Sequence, residues 1–456
     1  MSRKSGTGFA TRTCSKNPAY IACAADPVQT LCRQGKGHMS EPLVVIGASY
    51  AGLQIAISAR GAGFDGEILL VGDEPHLPYQ RPPLSKGFLT GKVAESALPI
   101  RPQQFLEQNR IDPLTGVRAT AIDRASRTVT TSDGRALSYD RLALAVGCRP
   151  RPLPVKGADL DGVLYLRTLD DAIALKARMP DAKSVAIIGG GFIGLEIAAS
   201  LAMLGKEVTV IEALPRVLAR ALPIKLSEFL SGVHQQAGVR VLTRTTVSEL
   251  VGEGGHVRSV LLSDGSRCAA DFVIVGIGVV PNVELAAEAG LACQDGIVID
   301  AFGRTQDPTI VAAGDCTRHP NRFAVGGPIR LESVQNALDQ AKTAGATLAG
   351  VLKPYDAVPW FWSDQYDLKL QMVGLSEGHD QSVVRGSPEQ QKFSVFYFRQ
   401  GALIGIDSIN RPGDHMAGRQ LIPAGTALTP DEAADPDFDL VRLVAAARKA
   451  AAAPAG

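Results

Sequence analysis

Two apolar runs, Leu43 to Ile46 and Ile68 to Val71, flank a small-residue stretch from Gly52 to Gly61 whose pattern predicts a helix. Strand, helix and strand in that order predict a βαβ unit. The pattern returns at Ser184 to Ile188 and Glu207 to Ile211, joined by Gly194 to Gly205. The chain therefore holds one supersecondary unit twice, the copies starting at Gly47 and Gly189. Between them, alternation at Arg127 to Thr131, the hairpin signal Ser132-Asp133-Gly134 and the buried-type run Arg141 to Val146 predict further strands. The same order follows the second copy, with Val257 to Leu262, the turn Ser263-Asp264-Gly265 and a strand over Asp271 to Ile277. At Pro354 the character changes: both tryptophans and the strands Val383 to Arg385, Ser394 to Phe398 and Leu403 to Asp407 predict an α+β domain. The alanine-rich end, Ala445 to Gly456, reads as a fraying helix. The expected class is α/β, with two doubly wound units plus an α+β C-terminal domain. Its boundaries are a tail at 1–38, a first unit at 39–150, a second at 151–275, a return to the first at 276–353, and a last domain at 354–456.

Composition narrows the class of partner. Of 456 residues, 45% are apolar and 20% charged, with mean hydropathy near zero, as in an ordinary globular protein. No apolar run reaches the roughly 18 residues of a membrane span. A formal charge of +1 argues against nucleic acid or an anionic membrane as the main partner. Within the tail, Arg3, Lys4, Arg12, Lys16, Arg33 and Lys36 face the single acid Asp26. Met39, just ahead of the first strand, reads as the true start and the tail as upstream sequence; a disordered extension or a cleaved targeting segment are the other readings. Three of the seven cysteines, Cys14, Cys23 and Cys32, lie in this tail, and Cys148, Cys268, Cys293 and Cys316 lie beyond it. None forms a C-x-x-C pair and the histidines have no metal-ligand spacing, so no metal site is expected and the thiols fit a reducing cytoplasm.

Glycine is in surplus at 47 residues, which suggests places where backbone must come close to a ligand. The second unit runs Ile188-Gly189-Gly190-Gly191-Phe192-Ile193-Gly194-Leu195-Glu196, a G-x-G-x-x-G between strand and helix. Gly189 permits the tight turn, Gly191 lets backbone approach a pyrophosphate, and Gly194 lets the helix pack closely. The next strand ends in Glu212, where a carboxylate accepts ribose hydroxyls and repels a 2′-phosphate, so NADH is expected over NADPH. Arg216, four residues on, works against that preference. The first unit runs Gly47-Ala48-Ser49-Tyr50-Ala51-Gly52, with Ser49 in the middle glycine's place, and Asp73 follows its second strand. Two dinucleotide sites imply two dinucleotides, and FAD with NADH is the economical pair.

On these motifs the chain resembles the FAD-dependent, NADH-using ferredoxin reductases of the putidaredoxin reductase type, over nearly all of residues 42–450. The resemblance implies two glutathione-reductase-like dinucleotide-binding domains: FAD on 39–150 and 276–353, NAD on 151–275. It implies that Gly47, Ser49, Ala51, Gly52 and Asp73 hold the ADP half of FAD, and places Ala119 among the FAD-binding positions. Pro78-Tyr79-Gln80-Arg81-Pro82-Pro83-Leu84-Ser85-Lys86 is similar to the flavin-side loop, which sets Lys86 beside the isoalloxazine. Ala145-Val146-Gly147-Cys148-Arg149-Pro150-Arg151 is similar to an ATGxxPR junction, with Val146 where threonine is usual. Arg167 matches a flavin-contacting arginine, Asp315 of Ala312-Ala313-Gly314-Asp315 a ribityl ligand, and Val334 a backbone contact to the ring. Gly189, Gly191, Gly194, Glu196 and Glu212 are left for NADH.

A cation beside the ring eases hydride acceptance, so Lys86 and Glu196 are the candidate catalytic residues, pairing once nicotinamide docks; the plain alternative is a surface lysine and a capping acid. Asp315 is equally placed to cap a helix. Residues 74–100 contain no cysteine, so no dithiol stands at the ring; Cys148 and Cys316 are read as core. Electrons then leave the flavin directly. The resemblance implies a 2Fe-2S ferredoxin as acceptor and, through it, a bacterial oxygenase. Rubredoxin, a quinone, oxygen, or a redox-sensing role are the alternatives. Trp360 and Trp362 share a strand face, as core or as docking surface, and Arg101, Lys342 and Lys369 are candidate contacts for an acidic partner. Monomer and homodimer both fit.

Overall fold

In the computed structural model, which describes residues 42–452, the apolar run Leu43–Ile46 is the middle strand of a five-stranded parallel sheet. Its order is Ile310–Ala312, Arg141–Leu144, Leu43–Ile46, Ile68–Val71, Ile111–Leu114, with Leu43 opposite both Ile68 and Arg141. The run carries no alternation because both faces are covered: Leu43 and Val45 pack against the helix Tyr50–Gly61, while Val44 and Ile46 pack against Tyr139 and Leu291. The strand Ile310–Ala312 and the helix Val334–Leu348 come from far along the chain to complete this unit. That helix lies against Tyr50–Gly61 so closely that a Cβ on Gly345 would stand 2.6 Å from the Ile55 carbonyl oxygen. The tail, with Cys14, Cys23, Cys32 and the start read at Met39, lies outside the described residues, as do residues 453–456 at the end of the run read as a fraying helix.

A second parallel sheet repeats the design in the order Arg240–Leu242, Glu207–Ile211, Ser184–Ile188, Phe272–Val275, Val163–Leu164. Each parallel sheet is accompanied by a three-stranded antiparallel one, built on Thr128–Thr131 and on His256–Leu262. The strand Arg267–Ala269 in the latter is additional to the expected set, and the run read as Asp271 to Ile277 is a strand only over Phe272–Val275. Arg141 to Val146 likewise ends at Leu144, where the chain turns into the Gly147 junction. Both helices that follow the glycine loops begin two residues earlier than read, at Tyr50 and Phe192, because Gly52 and Gly194 lie inside the first turn and not ahead of it.

The C-terminal domain is a five-stranded antiparallel sheet, Trp360–Gln365, Leu368–Gly374, Ala402–Ile409, Lys392–Arg399, Gln381–Ser387. Alternation divides its faces. Phe396 and Phe398 meet the helices Pro412–Ala424 and Leu440–Ala452, whereas Phe393, Val395 and Tyr397 join the core of the second unit beside Leu195 and Leu230. One face of this sheet is thereby committed to the helix that follows the second glycine loop. No helix of the described residues is long and apolar enough to cross a membrane.

Candidate functional site

The two glycine loops are built alike. Gly47 (φ +111°) and Gly189 (φ +107°) adopt left-handed backbone. A Cβ on Gly52 would stand 1.8 Å from the Gly47 carbonyl oxygen, and one on Gly194 2.3 Å from that of Gly189, so each helix seats directly on its turn. Neither the helix from Tyr50 nor that from Phe192 has a side-chain cap or an acid in its first turn. By contrast, Thr168 and Ser333 cap the helices that follow them. Uncapped N–H groups with no acid in the first turn suit a pyrophosphate, and a Cβ on Gly191 would meet nothing within 4 Å, which leaves room for one. Glu212 is positioned by backbone: Gly190 N–H donates to Oε2 at 2.7 Å and Leu214 N–H to Oε1 at 2.8 Å. Arg216 donates instead to the carbonyls of Leu222 and Ala219.

In the first loop, Ser49 accepts a hydrogen bond from Arg81 Nε at 3.4 Å. Arg81 also donates to the Arg167 carbonyl at 2.6 Å and pairs with Glu74 at 2.5 Å, while Tyr79 O–H donates to Glu74 and accepts from Leu169 N–H. This cluster ties the loop at 78–86 to the glycine turn; sequence reasoning missed Glu74, and its signal was an acid beside the aromatic–arginine pair. Ala51 is buried, and a Cβ on Gly314 would come within 3.2 Å of its methyl, so the second fingerprint abuts the first. Asp315 receives Arg167 Nη2 at 3.3 Å and the Cys148 thiol at 3.4 Å on one oxygen. Burial pushes the Cys148 thiol far up and Cys316 up to about 12, so both stay protonated. Asp73 is 54% exposed and faces Arg118 at 3.0 Å, next to Ala119 at the start of its strand. Val334 is the first residue of the helix capped by Ser333.

Lys86 and Glu196, distant in sequence, meet. Lys86 Nζ lies 2.7 Å from Glu196 Oε2, and the glutamate is only 3% exposed. The pair was expected to wait for nicotinamide; in the structure it is already made. Ser85 O–H donates to the same oxygen at 2.5 Å, and Ser363 O–H, from the C-terminal strand, donates to Oε1 at 2.7 Å. Three parts of the fold thus converge on one carboxylate, and a buried charge needs such partners. Ser363 was not foreseen; its signal was alternation, which puts it opposite Trp362. Trp360 and Trp362 are half-buried with ring centroids 5.5 Å apart, and Arg419 stands 4.7 Å over Trp360. Of the basic candidates, Lys342 pairs with Asp339 at 2.8 Å, Arg101 lies over Phe105, and Lys369 is exposed. Among the described residues no group of His, Cys, Asp and Glu is arranged to hold a metal ion.

Residues 41–341 match the pyridine nucleotide-disulphide oxidoreductase family and residues 360–444 the reductase C-terminal family. Rhodocoxin reductase of Rhodococcus erythropolis is 47% identical over 88% of this chain and 94% of its own. A crystal structure of a ferredoxin reductase from Rhodopseudomonas palustris superposes with a TM-score of 0.86 at 46% identity, over 89% of this chain and all of the other. The reductase in a covalent putidaredoxin reductase–putidaredoxin complex gives 0.86 at 41% identity, over 90% and 99%. The likeness extends over both parallel-sheet units and the C-terminal sheet domain. The chain belongs to the pyridine nucleotide-disulphide oxidoreductase family and, within it, to the FAD-dependent ferredoxin reductases that carry a reductase C-terminal domain.

Proposed function

We propose that this protein carries electrons from NADH through FAD, one at a time, to a 2Fe-2S ferredoxin that serves an oxygenase. The observation that carries the reading is the pairing of partly buried Lys86 with buried Glu196, which joins the flavin-side loop to the helix of the NAD loop where two dinucleotides must meet. FAD, when bound, takes a hydride and yields electrons singly. Overall, NADH and two oxidised ferredoxins give NAD⁺, two reduced ferredoxins and one proton.

In this reading Gly47, Ser49, Ala51 and Gly52 receive the FAD pyrophosphate. Asp73 and Ala119 serve its adenosine end, Asp315 and Arg167 its ribityl side, and Val334 the ring. Gly189, Gly191 and Gly194 receive the NADH pyrophosphate, and Glu212 its ribose. Lys86 sets an ammonium beside the ring, where it stabilises the negative charge that arrives with hydride, and Glu196 holds it there without reorganisation at the moment of transfer. The half-buried Trp360 and Trp362, with Arg419, offer an aromatic and cationic face for an acidic partner.

The test is anaerobic reduction with NADH followed by rapid mixing with a 2Fe-2S ferredoxin, a rubredoxin, a quinone or oxygen. Ferredoxin should reoxidise the flavin fastest. A faster rubredoxin or quinone would replace the partner, and a long-lived reduced complex of altered oligomer size would favour a sensor.

A further inference from the structure

We propose that Ser363, Gln365 and His234 act as positioning residues for the Lys86–Glu196 pair, so that the C-terminal domain sets the flavin's readiness to accept hydride through Glu196. This rests on the reading that places Lys86 beside the flavin.

The strand Trp360–Gln365 has two faces. Phe361, Ser363 and Gln365 face the helix Phe192–Met203, where Phe361 packs on Phe192 with centroids 4.6 Å apart and Ser363 bonds Glu196 one turn further on. From Ser363 a buried line of hydrogen bonds runs away from the site. Gln365 Nε2–H donates to Ser363 Oγ at 3.1 Å, His234 Nε2–H to Gln365 Oε1 at 2.8 Å, and Tyr366 O–H to His234 Nδ1 at 3.1 Å. His234 is fully buried, and burial lowers its pKa, so the ring is neutral and needs one donor and one acceptor as neighbours. Gln365 and Tyr366 supply both. Tyr366 does so from left-handed backbone at φ +54°, an uncommon and strained place for a bulky side chain.

The direction of the line is its content. Each donor points toward Glu196, so the dipoles add at Oε1, while Lys86 and Ser85 occupy Oε2. With both oxygens engaged from opposite sides the carboxylate cannot turn without losing a partner, and the place of the Lys86 ammonium is fixed with it. An amide in the middle of the line makes it a poor proton conductor, so its role is orientation.

The experiment uses the FAD-loaded protein. Ser363→Ala should lower the limiting rate of flavin reduction by NADH about tenfold with the NADH dissociation constant unchanged. It should also lower the midpoint potential by a tenfold shift of the two-electron equilibrium, about 30 mV, since a loosened ammonium stabilises reduced flavin less. Ser363→Thr should restore both. In a Glu196→Gln background Ser363→Ala should change neither. Lys86→Met is the separate control: if it leaves the potential unmoved, Lys86 is not beside the flavin and the functional reading fails. If Lys86→Met lowers the potential but Ser363→Ala does not, or if the Ser363→Ala loss persists with Glu196→Gln, the positioning line is refuted. Should Ser363→Ala shed FAD, Gln365→Leu removes the orienting donor while keeping Ser363, and must move potential and rate the same way.

Discussion

Glu212 uses one carboxylate oxygen on the Gly190 N–H of the glycine loop and the other on the Leu214 N–H of its own turn, at 2.7 and 2.8 Å, and so is aimed before any nucleotide arrives. If Glu212 serves the ribose as proposed, replacing it by alanine removes that acceptor and the repulsion of a 2′-phosphate together. The NADH to NADPH ratio of kcat/KM should fall tenfold or more, equivalent to about 1.4 kcal/mol; an unchanged ratio would mean that specificity is set elsewhere. Arg216 works little against this, since its guanidinium is held by the Leu222 and Ala219 carbonyls. The loop glycines and Glu212 were legible because their spacing is local: each lies a fixed distance from a recognisable strand. Lys86 was legible through resemblance and Glu196 through its place on the phosphate helix. Ser363, Gln365 and His234 were not, because an ordinary serine, glutamine and histidine mean something only beside neighbours that the fold brings from elsewhere in the chain.

Among the elements, the crossing of Tyr50–Gly61 and Val334–Leu348 depends on one small residue. A methyl at Gly345 would press on backbone at Ile55 and on Ser58 Cβ at 2.7 Å, atoms that cannot swing aside. Gly345→Ala should therefore destabilise the protein by about 1–3 kcal/mol, read as an earlier urea midpoint, with loss of FAD following because Gly314 leans on the same helix pair at Ala51 and Ala337. A second element carries a pH signature. Asp407, fully buried in the C-terminal sheet, has its carboxyl raised by burial to about 7, against the opposing hydrogen bond from Tyr397 O–H at 2.9 Å. A folded pKa above the unfolded one means that stability is complete below pH about 4 and is lost as pH rises toward about 7. Asp407→Asn removes this dependence, so the variant should gain on the parent across that window, and unfolding free energies that stay parallel with pH would contradict the assignment. Continuous apolar runs announced the inner strands of both parallel sheets but not their edges, such as Ile111–Leu114, where Asp112 and Pro113 break the run, and Arg267–Ala269 is too short at three residues to show a period.

For the molecule as a whole, a formal charge of +1 provides no strong field toward an acidic ferredoxin, so association has to rely on local cations such as Arg419 beside Trp360 and the exposed Lys369. Salt screens such patches over about 8–10 Å and acts on encounter more than on chemistry. Ferredoxin reduction should therefore slow as ionic strength rises while flavin reduction by NADH does not; equal insensitivity would make the contact apolar and assign it to the tryptophans. One feature of the first sheet bears on how the protein is made. Its edge strand Ile310–Ala312 pairs with Arg141–Leu144, and the whole second parallel sheet lies between them in sequence. At a synthesis rate of about 5–20 residues per second, the ribosome releases the inserted sheet complete while the outer one still lacks an edge strand and a covering helix. The second sheet can pair during translation, although its core closes only when Phe393, Val395 and Tyr397 have followed, whereas the first sheet must wait for Ile310–Ala312 and for the helix that ends at Leu348, so the site on it is completed late in biosynthesis.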